Sequence, residues 1–170
     1  LAARPSNLGT RFHNYLYDEL GLNFIYKAFN TDDLEGAVRG IRALGFRGCS
    51  VSMPFKEAII PMIDLMAHSA LAIESVNTVV NNHGVLTASN TDFEAVLQLL
   101  RERQVATDQT VLVRGSGGMA KAVVAAFREA GFDKLTVVAR NRETGSALAG
   151  KYGFTYLSED QLAASDSTFD

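Results

Sequence analysis

The chain has 170 residues, 47% of them hydrophobic and 21% charged, and a formal net charge of −3. That composition belongs to a packed globular chain and excludes a disordered, collagen-like or coiled-coil protein. The small negative charge gives no electrostatic reason to bind nucleic acid or a membrane surface.

Thr10 is placed to cap a helix whose apolar positions run Phe12, Leu16 and Leu20, with Gly21 as its stop. Residues 23–29, with Phe24, Ile25, Tyr26 and Phe29, predict a strand. Asp32 followed by Glu35 resembles a capping box for a helix carrying Leu34, Val38 and Ile41 on one face and ending near Gly45. Residues 47–52 predict a short strand stopped by Pro54, and residues 56–66 a partly helical segment broken at Pro61. Residues 76–80 and 85–88 flank Asn81, Asn82, His83 and Gly84, which is a hairpin signal. A helix over 92–103 and a polar loop over 104–109 follow.

The second half changes rhythm. Residues 110–113 form a continuous apolar strand, as expected when both faces are buried. After a glycine-rich turn, Ala120, Val123, Val124, Phe127 and Ala130 fall at helical spacing, and Gly131 ends the helix. Residues 135–139 predict a second buried strand, 143–152 a helix and 154–157 a third strand. The expected fold is α/β: an N-terminal β/α domain over residues 1–100, then a Rossmann-type doubly wound domain over 101–170. The first apolar stretch at Leu1 is too short for a normal strand and no closing element precedes Asp170. The expectation is therefore a piece of a longer protein, clipped in its first strand and lacking the second mononucleotide half.

Gly115, Ser116, Gly117, Gly118, Met119 and Ala120 fit G-x-G-x-x-G/A between a strand and a helix. Gly115 permits the tight turn, Gly117 lets a pyrophosphate approach the backbone, and Ala120 keeps helix and strand close. The helix N-terminus then offers free N–H groups to the phosphates. An NAD site places an acid at the end of the next strand to hold the ribose 2′-hydroxyl. Here Arg140, Asn141 and Arg142 stand there instead, and guanidinium suits a 2′-phosphate, so NADP is the expected cofactor. The alternative is that both arginines are simply solvated at a helix start.

In the first half, Ser50 and Ser52 alternate along a strand ahead of Lys56, while Ser75, Asn77, Thr78, Ser89, Asn90, Thr91 and Asp92 add hydroxyls, amides and a carboxylate. Polar groups at strand ends are the usual makings of a small-molecule site. Lys56 and Asp92 have the chemistry of a proton-transfer pair beside a hydride-transfer centre. Spacing alone equally accommodates a surface lysine and an aspartate that caps the following helix, the commoner arrangement.

These motifs together resemble the shikimate dehydrogenase family, whose patterns include N-V-T-x-P-x-K, G-A-V-N-T, G-x-N-T-D-x-x-G and G-x-G-G-x-x-x-A. They correspond here to segments 50–56, 74–78, 88–95 and 115–122, in register across most of the chain. The wording is closest to the bacterial shikimate-dehydrogenase-like subgroup. The resemblance implies an NADP-dependent oxidoreductase of aromatic amino acid biosynthesis acting on a shikimate-like cyclic hydroxy acid. It implies Lys56 and Asp92 as the catalytic pair, Asn77 as an amide on the substrate hydroxyls, Ser52 in place of a substrate-binding threonine, and Arg140 on the 2′-phosphate.

The family's S-x-S-P-x-x-H-N start is altered. His13 and Asn14 remain, but counting back from His13 puts Asn7 and Gly9 at the serine positions, with Ser6 and Thr10 as nearby hydroxyls. Ser50 replaces an Asn and Ala95 a Gly. Shikimate, quinate and related ring acids therefore all stay open. So do NAD use, a ligand-sensing module without turnover, and another two-domain enzyme such as a folate dehydrogenase, which the N-T-D pattern disfavours. The expected partner is a small-molecule substrate, with no nucleic acid or membrane, in a monomer or homodimer. No His, Cys, Asp or Glu cluster has metal-ligand spacing, so no metal is expected. Cys49, the single cysteine, reads as a buried small residue and fits a reducing, cytoplasmic setting.

Overall fold

The computed structural model describes residues 1–3, 7–165 and 169. The chain divides into two compact units, Leu1–Ala70 with Glu74–Ser89, and Leu71–Ile73 with Asn90–Asp170.

The first unit begins with helices α1 (Asn7–Glu19) and α2 (Leu34–Ala43) and strand β1 (Gly48–Ser50). Helix α3 (Phe55–Ala58), a 3₁₀ turn at Ile60–Met62, strand β2 (Leu65–Met66) and helix α4 (His68–Ile73) lead into the hairpin β3 (Thr78–Asn82) and β4 (Val85–Ser89). The sheet order is β1-β3-β4-β2, with β2 parallel to β4 and the other neighbours antiparallel. Asn82 pairs with Val85, so His83 and Gly84 form the expected tight turn. Inward side chains Val79, Leu86 and Ala88 meet Val38 and Ile41 of α2 and, from the connecting segments, Val51, Ile59 and Val76. Asn81 also points inward, but its amide donates to the carbonyls of Ile41 (3.2 Å) and Phe46 (2.9 Å) and accepts from Gly84 N–H (2.8 Å). Its burial is thus compensated.

Three local expectations differ from the structure. Helix α1 starts at Asn7, so Thr10 lies inside it instead of capping it. Helix α2 is capped by Asp33, whose side chain accepts from Gly36 N–H at 2.7 Å, and not by Asp32. Residues 23–29 form no strand. The N–H and carbonyl of Tyr26 are both taken by the Asn14 side chain, and the Phe29 carbonyl by Ala2 N–H (3.2 Å), so no regular ladder develops there.

The second unit carries helix α5 (Thr91–Glu102), then β5 (Val111–Arg114), α6 (Gly118–Glu129), β6 (Leu135–Val138), α7 (Arg142–Tyr152), β7 (Thr155–Leu157) and α8 (Glu159–Ala163). Its sheet runs β5-β6-β7, all parallel. One core cluster joins Val113, Leu135 and Val137 to Val124 of α6 and Leu148 of α7. Another joins Phe93 and Leu97 of α5 to Ala122, Ala125 and Ala126 of α6 and to Ile73. In that second cluster α5 shares its buried face with α6, and the second compact unit takes up the chain at Asn90. Among the described residues, no helix is long and apolar enough to cross a membrane.

Candidate active site

Backbone hydrogen bonds gather several predicted residues at one end of the first sheet. Val51 N–H donates to the Asn77 carbonyl (2.7 Å) and Asn77 N–H to the Ser89 carbonyl (3.2 Å). Val76 N–H donates to the Lys56 carbonyl (2.8 Å). Ser52, Lys56 and Asn77 therefore come from three different segments, each pinned to the next by main-chain bonds. Lys56 lies in the first turn of α3, half-buried, after a turn whose Met53–Pro54 peptide is cis. The Asn77 side-chain oxygen accepts from Thr78 Oγ1 at 2.9 Å, which orients the amide.

The other predicted substrate residues are less concentrated. Asn7 opens α1 and is exposed. Thr10 is half-buried, with a buried Oγ1 that has no hydrogen-bond partner among the described residues. Ser6 lies outside the described residues. A groove of about 530 Å³ is lined by Ser50 and Ser52 with Tyr26, Phe29 and Ile41, but not by Lys56 or Asn77, so it is not where the predicted residues meet. Cys49 also borders the groove, and burial pushes its thiol pKa up.

In the second unit, Asn90 is the cap of α5: its Oδ1 accepts from Asp92 N–H (3.1 Å) and Phe93 N–H (3.3 Å). The capping role considered for Asp92 is thus filled by Asn90. Asp92 sits in the first turn of the same helix, after the exposed Thr91.

The glycine turn lies where β5 meets α6. Gly115 has φ +126°, a conformation that a side chain would strain, and its N–H donates to the Val138 carbonyl at 2.7 Å. A Cβ built on Gly117 or Gly118 meets no atom within 4 Å, so both glycines leave the approach to the helix N-terminus open. The first N–H groups of α6 have no acceptor within the helix, and no acid lies in its first turn. These features fit a bound dinucleotide phosphate. Ser116 and Thr144 hydroxyls lie 2.8 Å apart beside the turn.

At the end of β6, Arg140 is exposed and makes no hydrogen bond among the described residues. Asn141 proves to be the cap of α7, its side-chain oxygen accepting from Thr144 N–H at 3.1 Å. One pair escaped the sequence reading. Arg114, the last residue of β5, is bound bidentately by Glu159 at 3.0 and 2.6 Å. Its signal was a charge ending an otherwise apolar strand.

Fold and site together define an α/β chain with a substrate-domain unit and a Rossmann-like parallel-sheet unit. The family model described as shikimate dehydrogenase substrate binding domain matches residues 6–79, and the one described as shikimate / quinate 5-dehydrogenase matches residues 98–167. A "Shikimate dehydrogenase-like protein" of Haemophilus influenzae is 59% identical over 96% of this chain and 61% of its own length. A solved shikimate 5-dehydrogenase-like protein superposes with a TM-score of 0.94 at 55% identity, covering 99% of this chain and 61% of that one. The Thermus thermophilus shikimate 5-dehydrogenase, solved with NADP(H) and shikimate, gives a TM-score of 0.78 at 33% identity over 88% of this chain and 57% of its own. The chain belongs to the shikimate dehydrogenase family, a family of oxidoreductases. It spans 61% of the Haemophilus relative's length.

Proposed function

We propose that the protein is an NADP-dependent dehydrogenase that interconverts a shikimate-like cyclic hydroxy acid and its ketone. The carrying observation is the set of main-chain bonds that fixes Ser52, Lys56 and Asn77 at one sheet end. The first unit binds the substrate. Asn77 and Ser52 hold ring hydroxyls, and Asn7, Thr10 and Ser6 supply further polar contacts for the ring and its carboxylate.

Lys56 Nζ accepts the hydroxyl proton when the alcohol is oxidised and returns it to the carbonyl oxygen in the reverse direction. Asp92, carried over with Lys56 as the family's catalytic pair, is the second residue of the proton-transfer machinery. Bound NADP supplies or takes the hydride at the carbon that carries this oxygen. The open turn Gly115, Ser116, Gly117, Gly118, Met119 and Ala120 receives the pyrophosphate through backbone N–H groups. Arg140 binds the 2′-phosphate, and Asn141 supports it by fixing the start of α7.

The test is NADP+ reduction by the intact protein with shikimate, quinate and related ring acids. Turnover with a ring hydroxy acid supports the reading. Tight ligand binding with no turnover would favour a sensor.

A further inference from the structure

The parallel sheet of the second unit brings three charged side chains to one edge. Strands β5, β6 and β7 end at Arg114, Val138 and Leu157, which are in register. Arg140 and Glu159 each follow two residues beyond such an end. Arg114 reaches Glu159 across the end of β6, a span of two strand spacings or about 10 Å. The ion pair thus crosses the end of β6, two residues before Arg140.

In a dinucleotide-binding sheet, the residue after the second strand reads the ribose 2′ position. This chain lacks an acid there, yet Glu159 delivers one to the same edge from the next strand. We propose that Glu159 is a specificity-determining residue: its carboxylate occupies Arg114 and opposes a 2′-phosphate beside Arg140, holding the preference for NADP below what two free arginines would give. The inference rests on the cofactor reading above. The Arg114 hydrogen bond first, then the Arg114 charge and last the Arg140 charge hold the Glu159 carboxyl below the usual range, which agrees with Arg140 and Glu159 sharing one electrostatic neighbourhood.

The probes are 2′,5′-ADP and 5′-AMP, titrated calorimetrically into the intact protein and its variants, with melting temperature recorded alongside. Glu159→Gln keeps the shape and removes the charge. It is expected to raise the affinity ratio of 2′,5′-ADP to 5′-AMP about tenfold, the scale of one nearby charge at a protein surface. Glu159→Asp should fall between the two. Arg140→Ala should lower the ratio. If Arg140→Ala lowers the ratio while Glu159→Gln leaves it unchanged or lowers it, Glu159 is only a structural anchor and the proposal fails. If Arg140→Ala has no effect, or neither probe binds, the cofactor reading itself fails and takes this inference with it.

Discussion

The Asn14 side chain makes a closed pair of hydrogen bonds with the backbone of Tyr26, Nδ2 to the carbonyl at 2.9 Å and Oδ1 from the N–H at 2.7 Å. One amide thereby does for Tyr26 what a neighbouring strand would do. The His13 ring adds to this by stacking on the Tyr26 ring, with centroids 4.4 Å apart. Asn14→Ala leaves both groups of Tyr26 without their protein partner, a change worth about 1–3 kcal/mol. Hydrogen exchange at the Tyr26 amide should accelerate at least ~10-fold, since 1.4 kcal/mol is a factor of ten. Unchanged protection would mean that other bonds hold this segment.

Gly145 of α7 faces the sheet with no room to spare. A Cβ there would lie 2.5 Å from Tyr156 Cε2 and 2.9 Å from Ala139 Cβ. Tyr156 is itself held by its hydroxyl on the Ala139 carbonyl at 3.0 Å. Gly145→Ala should therefore destabilise the second unit by about 1–3 kcal/mol, the usual scale of overpacking. The check is a denaturant titration of Gly145→Ala with and without Tyr156→Leu, which should recover part of the loss.

Acid should weaken each unit through one carboxylate. Asp64 accepts from Arg42 at 2.6 Å and from Leu86 N–H at 2.7 Å, and Glu159 accepts from Arg114. These bonds hold both carboxyls below their ordinary values of 3.8 and 4.5. A depressed carboxyl contributes stability that is full above its unfolded pKa and is lost as pH falls through the folded one. Melting temperature should thus fall as pH drops below about 4.5, and Asp64→Asn or Glu159→Gln should flatten that fall. Both pairs are solvent-exposed, so the effect should be modest and should shrink in high salt. A pH profile identical to the parent in both variants would contradict this.

Cofactor choice gives a direct test of Arg140. Arg140→Ala should weaken NADP+ binding about tenfold or more while leaving NAD+ binding nearly unchanged, because only NADP carries the phosphate that a guanidinium grips. Titration of both cofactors measures it. Equal weakening would remove the 2′-phosphate role.

The hairpin at His83 and Gly84, the buried parallel strands around Val113 and Val137, and the glycine turn were all legible in the sequence, because turn chemistry and local periodicity dictate them. Residues 23–29 were not. Their composition favours a strand, but strand pairing depends on what lies alongside, and the Asn14 side chain takes the backbone bonds instead. The packing of α5 on α6 was not legible either, since α5 is amphipathic and its sequence does not name the partner of its buried face. Lys56 and Asn77 could be named from the family's motifs. That Val76 ties them together could not, because it is a main-chain bond between segments far apart in sequence. The Arg114–Glu159 pair needed the sheet order before its partners could be matched.

The central claim is that Lys56 moves the proton at the reacting oxygen. Steady-state oxidation of shikimate by NADP+, measured for the intact parent protein and for Lys56→Ala, tests it most directly. The account predicts a fall in kcat of at least ~100-fold, the scale of lost general acid–base help, with KM for shikimate changed far less. A Lys56→Ala protein that turns over shikimate at close to the parent rate would contradict it.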